Sequence, residues 1–531
     1  MRCWPQQLRI QPSDVTIQNI PAVLARIVFV GASKRGEVIM SSNLSRTVSA
    51  GAVIARQDRI QVWSLPYLFV IVIGLGFLFT FYDIFDINVS FIQTCVQIVP
   101  NCVPGGPPGS VVASDKLGLP VLWNLIGYVV GALILSPLAD RFGRRDMLLV
   151  TMLLTGIGSV FTAFVNDYTM FIVARTLTGI GIGADLAIVN TYINEVAPRY
   201  GRARYTSLIF IMSSLGALVA VWLGLLLTTP PESFPLGLSF ALAGEAFQGP
   251  GWRIMYGIGG ALALIGVLLR FQLPESPRWL ISQGRIEDAD AVVRRMEARA
   301  SQRNPLPKAM DELPTPPQIK GIPYTQIFSN ALYLRRTILL FLVWFIGYVT
   351  VYSFGAGFTT ILASLHYPPP EAGLIVAVGV IGFVISAVFA YFFSERLERK
   401  LWLPIAAVLT VLGGVLVAAA GQFSASSPTA APVMAFIGAM IVFFGFNIWV
   451  PMTYSWSTEN YPTRARTTGF GLVDGIGHLG GSVGLLIIAP LIPGLGAMQS
   501  FLLISAFLVV AALIAQFGID TRGKRLDIVS P

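Results

Sequence analysis

The sequence predicts an all-α membrane protein of twelve transmembrane helices, arranged as two pseudo-symmetric six-helix bundles with both termini cytoplasmic. Three observations lead there. Of 531 residues, 54% are hydrophobic and only 12% charged, against roughly 25% charged in soluble domains. The apolar residues come in long runs, and about 20 residues of helix are needed to cross a bilayer. A charged signature also recurs at a fixed interval along the chain.

The first six runs are Pro66–Phe91, Leu119–Leu138, Met147–Val165, Thr169–Asn194, Tyr205–Thr228 and Trp252–Phe271. The second six are Arg336–Ala363, Gly373–Phe393, Trp402–Gly421, Pro432–Ser457, Thr468–Ala489 and Phe501–Phe517. Gly and Pro interrupt several of them, which membrane helices tolerate. Residues 274–335 read as a cytoplasmic linker with one or two short surface helices. An amphipathic run, Arg285–Ala300, is followed by Pro305, Pro307, Pro314, Pro316 and Pro317. The chain thus divides into a cytoplasmic tail (1–65), a bundle (66–273), the linker (274–335), a second bundle (336–518) and a C-terminal tail (519–531).

Orientation follows from the 36 Lys and Arg residues. With the N-terminus cytoplasmic, the external loops contain only Lys116, Arg253 sits at the outer mouth of the sixth span, and Arg175 lies inside the fourth. All the others fall in tails, cytoplasmic loops or cytoplasmic helix ends, a positive-inside pattern. The net charge of +9 then faces the anionic inner leaflet. No nucleic-acid-reading module accompanies it.

Glu195-Val-Ala-Pro198 followed by Arg202 is mirrored, 264 positions on, by Glu459-Asn-Tyr-Pro462 followed by Arg466. Asp140-Arg-Phe-Gly-Arg-Arg145 has a worn echo in Glu395-Arg-Leu-Glu-Arg-Lys400. Two similar halves are the mark of an alternating-access transporter. Ser136-Pro-Leu-Ala-Asp-Arg-Phe-Gly-Arg-Arg145 resembles the loop-2/3 signature of the major facilitator superfamily, with Ser136 where Gly is usual. Three further stretches are similar to signatures of its sugar-porter-like branch. They are Arg175-Thr-Leu-Thr-Gly-Ile-Gly-Ile-Gly183 with Tyr192-Ile-Asn-Glu-Val-Ala-Pro198, Pro274-Glu-Ser-Pro-Arg-Trp-Leu280, and Asp520-Thr-Arg-Gly-Lys-Arg-Leu-Asp527. The resemblance implies the major facilitator fold and transport of a small-molecule substrate through the lipid bilayer. It also implies that Asp140, Arg141, Arg144, Arg145, Glu195, Arg202, Glu275 and Arg278 face Glu395, Arg396, Glu459 and Arg466 across a cytoplasmic gate. A solvated positive-inside belt would explain the basic residues but not the interleaved acidic ones.

Ionisable groups within the bilayer are costly and so are functional candidates. Apart from helix edges they are Asp83, Asp86, Arg175, Asp185, Asp474 and His478. Asp83 and Arg175 each lie roughly 10 Å below the outer surface at about 1.5 Å per residue. At that shared depth they can pair. Family members similar to this chain carry a Phe-Gly-Tyr-Asp stretch whose Asp faces the helix-4 Arg; here it reads Thr80-Phe-Tyr-Asp83. The resemblance implies that Asp83 takes a proton from outside, releases Arg175 and permits the inward swing. The alternative is a permanent structural pair with facilitated diffusion.

Asp86 shares a helix face with Asp83. It would bind a substrate cation, cooperate in protonation, or sit as a hydrated vestibule residue with Asn88. Asp185 and Asn190 continue down the fourth span, Asn190 equally suited to bridging helices. Asp474 and His478 are spaced i,i+4. In organic-ion transporters that this chain resembles, the position before Leu-Gly-Gly carries a charge matched to the substrate; here it is His478. A packing histidine is the alternative. Gly179 to Gly183 reads as close helix packing rather than a nucleotide loop.

Sugar porters that this chain resembles hold sugar hydroxyls with glutamines in spans 5 and 7, but no Gln occurs here in predicted spans 5, 7, 8, 10 or 11. The seventh span offers Trp344, Tyr348 and Tyr352, and the tenth Asn447 and Trp449. An aromatic cavity with few amides suits an organic acid or other organic ion better than a hexose. A proton-coupled symporter of an organic solute, acting as a monomer, is therefore expected; a sugar symporter or uniporter is the alternative. A non-transporting sensor of this fold would usually carry a long signalling tail, and the chain ends shortly after the twelfth span. With no metal-ligand cluster or nucleophile–base constellation, neither an enzyme nor a cofactor is expected. Met40 is the expected true start, which makes 1–39 an extension and removes Cys3. Cys95 and Cys102, in the first external loop, are left either bonded or as two free thiols.

Overall fold

Helix boundaries in the computed structural model fall where the sequence changes from apolar to charged or turn-forming. The structure describes residues 49–103, 111–198, 201–235, 237–244, 248–308, 323–355, 358, 362, 369–423, 430–488, 491 and 495–530. The expectations for residues 1–39 and the start at Met40 lie outside these.

In chain order the N-terminal half comprises α1 (Ala50–Asp58), α2 (Tyr67–Ile98), α3 (Ala113–Phe142), α4 (Arg144–Phe164), α5 (Tyr168–Val196), α6 (Arg202–Thr228) and α7 (Gly251–Arg270). The linker holds α8 (Pro277–Ser282), α9 (Ile286–Ser301) and α10 (Pro323–Ser329). The C-terminal half comprises α11 (Ala331–Gly355), α12 (Pro369–Phe393), α13 (Trp402–Phe423), α14 (Ala430–Ile448), α15 (Val450–Glu459), α16 (Arg466–Ile488) and α17 (Ala497–Ala515), followed by α18 (Leu526–Val529).

Among the described residues, eleven helical segments are long and apolar enough to cross a membrane, α14 and α15 counting as one. The 23-residue α16 is not among them. The chain is a multi-pass membrane protein. Several details depart from the sequence reading. The linker carries three described helices rather than one or two, because Pro323 starts a further turn. The N-terminal tail contains α1, capped by the Ser49 hydroxyl accepting from the Ala52 N–H at 3.1 Å. The tenth predicted span breaks at Trp449, since Pro451 lacks the N–H that would continue the ladder. A short parallel pairing of β1 (Cys102–Val103) with β2 (Val111–Val112) interrupts the all-α pattern. Cys95 and Cys102 form a disulfide.

The halves meet along two equivalent seams, α3 against α16 and α6 against α12. Within the N-terminal half, α3 and α5 touch backbone to backbone. A methyl group added at Gly179 or Gly183 would collide with the main-chain oxygens of Asn124 and Tyr128. The glycine run is therefore a packing device, and it brings Tyr128 and Arg175 to the wall between the halves.

Candidate functional site

Arg175 and Asp83 face each other between α5 and α2, each about 1% exposed. Arg175 Nη1 lies 3.1 Å from Asp83 Oδ2, and Nη2 donates to the Asp83 main-chain oxygen at 2.8 Å. The Ser159 hydroxyl of α4 donates to the other carboxylate oxygen. Asp86 is fully buried at 3.7 Å from the same Nη1, and no side-chain donor among the described residues reaches its oxygens within hydrogen-bond geometry. The guanidinium also lies over the Tyr256 ring, 5.2 Å from its centroid. Two buried carboxylates thus share one cation, and holding both ionised there would be costly.

Arg175 also reaches a central cavity of about 100 Å³ between the two halves. Its walls include Phe81 and Phe85 from α2, Asn124 and Tyr128 from α3, and Phe210 from α6. The other half supplies Tyr348, Tyr352, Phe383, Phe446, Asn447, Tyr454 and His478. None of the lining residues is a carboxylate, and the polar ones are mostly donors or phenols. His478 is stacked between Tyr128 and Tyr348, with ring centroids 3.9 and 4.0 Å away. Its Nδ1 lies 2.8 Å from the Asp474 main-chain oxygen. Asp474 stands just behind, accepting from Tyr128 at 2.5 Å and Tyr348 at 2.8 Å. The Tyr128 bond crosses from one half to the other.

One end of the bundle is sealed by charge. Gly143, at φ 120°, turns α3 into α4. That places Asp140, Arg144 and Glu195 together, Arg144 lying 2.9 Å from Asp140 and 3.2 Å from Glu195. Glu195 also pairs with Arg466 of the other half at 3.2 Å. Reciprocally, Glu459 lies 3.7 Å from Arg202 and 3.5 Å from Arg399. The Thr468 hydroxyl donates to Asp140 at 2.6 Å, and Glu395 accepts the Ala203 N–H at 2.9 Å. Burial pushes the Glu275 carboxyl above its ordinary range, against the N–H groups of Ser276, Arg145 and Arg144 that hold it down. Above this layer, the Asn190 amide donates to the Tyr454 carbonyl at 3.0 Å, and Ser455 to Thr206 at 2.8 Å. The halves are closed on the charged side of the cavity.

A model of the sugar (and other) transporter family matches residues 68–529. The chain belongs to that family. It is similar to the niacin transporter NiaP of Acinetobacter baylyi, 26% identical over 90% of this chain and 99% of the relative. It is also similar to the 4-hydroxybenzoate transporter PcaK of Pseudomonas putida, 29% identical over 75% of this chain and 82% of the relative. Among solved structures it shares the fold of the proton:xylose symporter XylE bound to 6-bromo-6-deoxy-D-glucose. There the TM-score is 0.67 at 21% identity, covering 87% of this chain and 98% of the other. These relatives are transporters, and this chain is a sugar-porter-like transporter of the major facilitator superfamily, not an enzyme.

Of the cavity residues expected from sequence, this transporter brings Tyr348, Tyr352, Asn447 and His478 to the lining. Asp86, Asn190 and Asp474 stand behind the wall, as do Trp344, which donates to Ser457 at 2.9 Å, and Trp449. Asp185 does not reach the cavity; it is held by Arg270 of α7, with Nη2 at 2.9 Å, and by Thr151 at 2.9 Å. The Asn88 side chain lies outside the described residues. At the gate, Arg141 and Arg396 take no part in the latch. Each is exposed, with its guanidinium over the neighbouring Phe142 or Phe393 ring. Arg145 donates to the Phe271 carbonyl, and Arg278 pairs with Asp58 at 2.6 Å.

Sequence reading missed Tyr128 and Asn124, which look like ordinary residues of an apolar run. It missed Arg270 because that residue ends its helix; a long arginine stem carries the charge inward from there. Arg399 stood inside the quoted Glu395 to Lys400 stretch but was not assigned to the gate. The signal for Arg270 was Asp185, an intramembrane carboxylate for which the sequence reading named no cation.

Proposed function

We propose that this chain is a proton-coupled symporter that moves a small organic anion, an aromatic carboxylate in preference to a sugar, by alternating access. On this reading α16 completes a set of twelve spans despite its Asp474 and His478. The basic residues place the charged end and both termini in the cytoplasm.

The observation that carries the reading is that Arg175 both pairs with Asp83 and lines the cavity. The Asp83, Asp86 and Arg175 set lacks one positive charge. A proton arriving from outside supplies it, weakens the hold on Arg175 and turns the guanidinium toward the cavity. A carboxylate solute can then meet Arg175 on one side and His478 on the other, its ring among Phe and Tyr side chains. The cavity has little room beyond a single ring, and NiaP and PcaK are named for two small aromatic acids. With charge neutralised and the solute bound, the cytoplasmic latch opens and the outer side closes.

The test is uptake into proteoliposomes of nicotinate, 4-hydroxybenzoate and D-xylose, with and without an inward proton gradient, against protein-free liposomes. Accumulation of an aromatic acid driven by the gradient is expected, with D83N losing that drive while retaining exchange of internal for external solute. Gradient-dependent accumulation by D83N would overturn the coupling role. Preference for D-xylose would overturn the substrate class.

A further inference from the structure

A second hollow, of about 340 Å³, lies where the end of α9 meets the head of α2; Trp63, Leu65, Arg299, Gln302 and Arg303 line it. It shares no lining residue with the central cavity. We propose that this hollow binds the phosphate of an anionic phospholipid headgroup.

The charge balance is the first reason. Three other basic residues around α9 are matched by carboxylates. Arg56 meets Asp290 and Glu297, each at 2.5 Å, Arg59 meets Glu297 at 2.6 Å, and Arg294 meets Asp290 at 2.7 Å. Arg299 and Arg303 have no carboxylate partner among the described residues. Arg303 instead donates to the Trp63 carbonyl at 3.3 Å and stands over the Tyr67 ring, 4.9 Å from its centroid. The carbonyl end of α9 offers only about half a negative charge against two full guanidinium charges. Both guanidiniums are exposed, so an anion arriving there meets positive charge that no described carboxylate offsets, and the ammonium of a neutral headgroup finds no carboxylate lining the hollow.

The level in the bilayer is the second reason. Tyr67 opens the first apolar helix, and Tyr67, Leu68 and Ile71 are 51%, 51% and 50% exposed. Apolar side chains exposed on a membrane helix face lipid, and a tyrosine at the helix head marks the interface where phosphates lie. The arginines beside Tyr67 are thus at headgroup depth. Donors are available as well: the Gln302 amide lines the hollow, and the Trp63 indole N–H has no partner among the described residues. A free phosphate ion would use the same donors, but a lipid phosphate is held at that depth by its own chains.

The experiment is native mass spectrometry of the full detergent-solubilised chain titrated with phosphatidylglycerol and, separately, phosphatidylcholine. One phosphatidylglycerol adduct should form more tightly than any phosphatidylcholine adduct. With each basic residue contributing as usual near a membrane surface, R299Q/R303Q should weaken that adduct on the order of twentyfold to thirtyfold. R299K/R303K, keeping the charge, should restore most of it and guards against misfolding of the glutamine variant. Equal binding of the two lipids by wild type, or an unchanged preference in R299Q/R303Q, overturns the site. Displacement of the lipid by millimolar inorganic phosphate overturns its assignment to a headgroup.

Discussion

Two sets of buried charges in this molecule look alike but join different things. Asp83 and Arg175 both belong to the N-terminal half. Glu195 with Arg466, and Glu459 with Arg202, each tie one half to the other. A pair within one half need not part when the halves move, so it answers to its own chemistry. A pair across the halves must part when the gate opens, so its strength sets the balance between conformations. The first can sense a proton or solute; the second can only register position.

The strongest way to break this comparison is to remove one cation from each set. R175L strands two buried carboxylates and is expected to destabilise the protein by about 3–5 kcal/mol. R466L leaves Glu195 still paired with Arg144 at 3.2 Å, so a loss of only about 1–2 kcal/mol is expected. Thermal unfolding of the two purified variants decides; equal losses would mean that both sets are simply structural.

Next in size is Y128F, which deletes the hydroxyl that joins Asp474 across the halves. Hydrogen bonds to charged groups contribute about 1.5–3 kcal/mol, and this one joins the two halves in the closed arrangement. Spin-label distances across the charged end should show a shift toward opening of at least about tenfold. H478F keeps the stacking between Tyr128 and Tyr348 but removes the imidazole. It should weaken an aromatic carboxylate by about tenfold with protein abundance unchanged, as read by binding calorimetry.

The smallest effect concerns the clamp of α1 on α9. Burial raises the Glu297 carboxyl, but hydrogen bonds from Arg56 and Arg59 outweigh this and hold it below its ordinary 4.5. A carboxylate depressed by folding contributes fully above the unfolded value, and that contribution is lost as pH falls through the folded one. Amide exchange over α1 should therefore rise below about pH 4.5, while α2 stays protected.

The helices were legible because a 20-residue apolar run has few other uses. Asp83 and Arg175 were legible because charge in such a run is rare and their depths matched. Asp185 misled because depth alone does not say which way a side chain faces. It points to α7, toward an arginine that the helix edge concealed. Tyr128 was illegible: one tyrosine in an apolar stretch gives no sign that its hydroxyl spans two halves. The 264-residue repeat was read as two similar halves, but its partners were hidden. Only the fold shows that each glutamate takes the arginine of the opposite copy, and that Asn190 meets Tyr454, its counterpart at that same spacing.

That crossed pairing is what a symmetric dimer would make, with every contact appearing twice. In a dimer of identical chains, one codon change alters both contacts together. Here the two copies lie in one reading frame, so each can drift by itself. Arg399 already supplements Arg202 on one side and Arg144 supplements Arg466 on the other. The closing force can thus be adjusted in half steps, a freedom that duplication followed by fusion confers and subunit assembly does not.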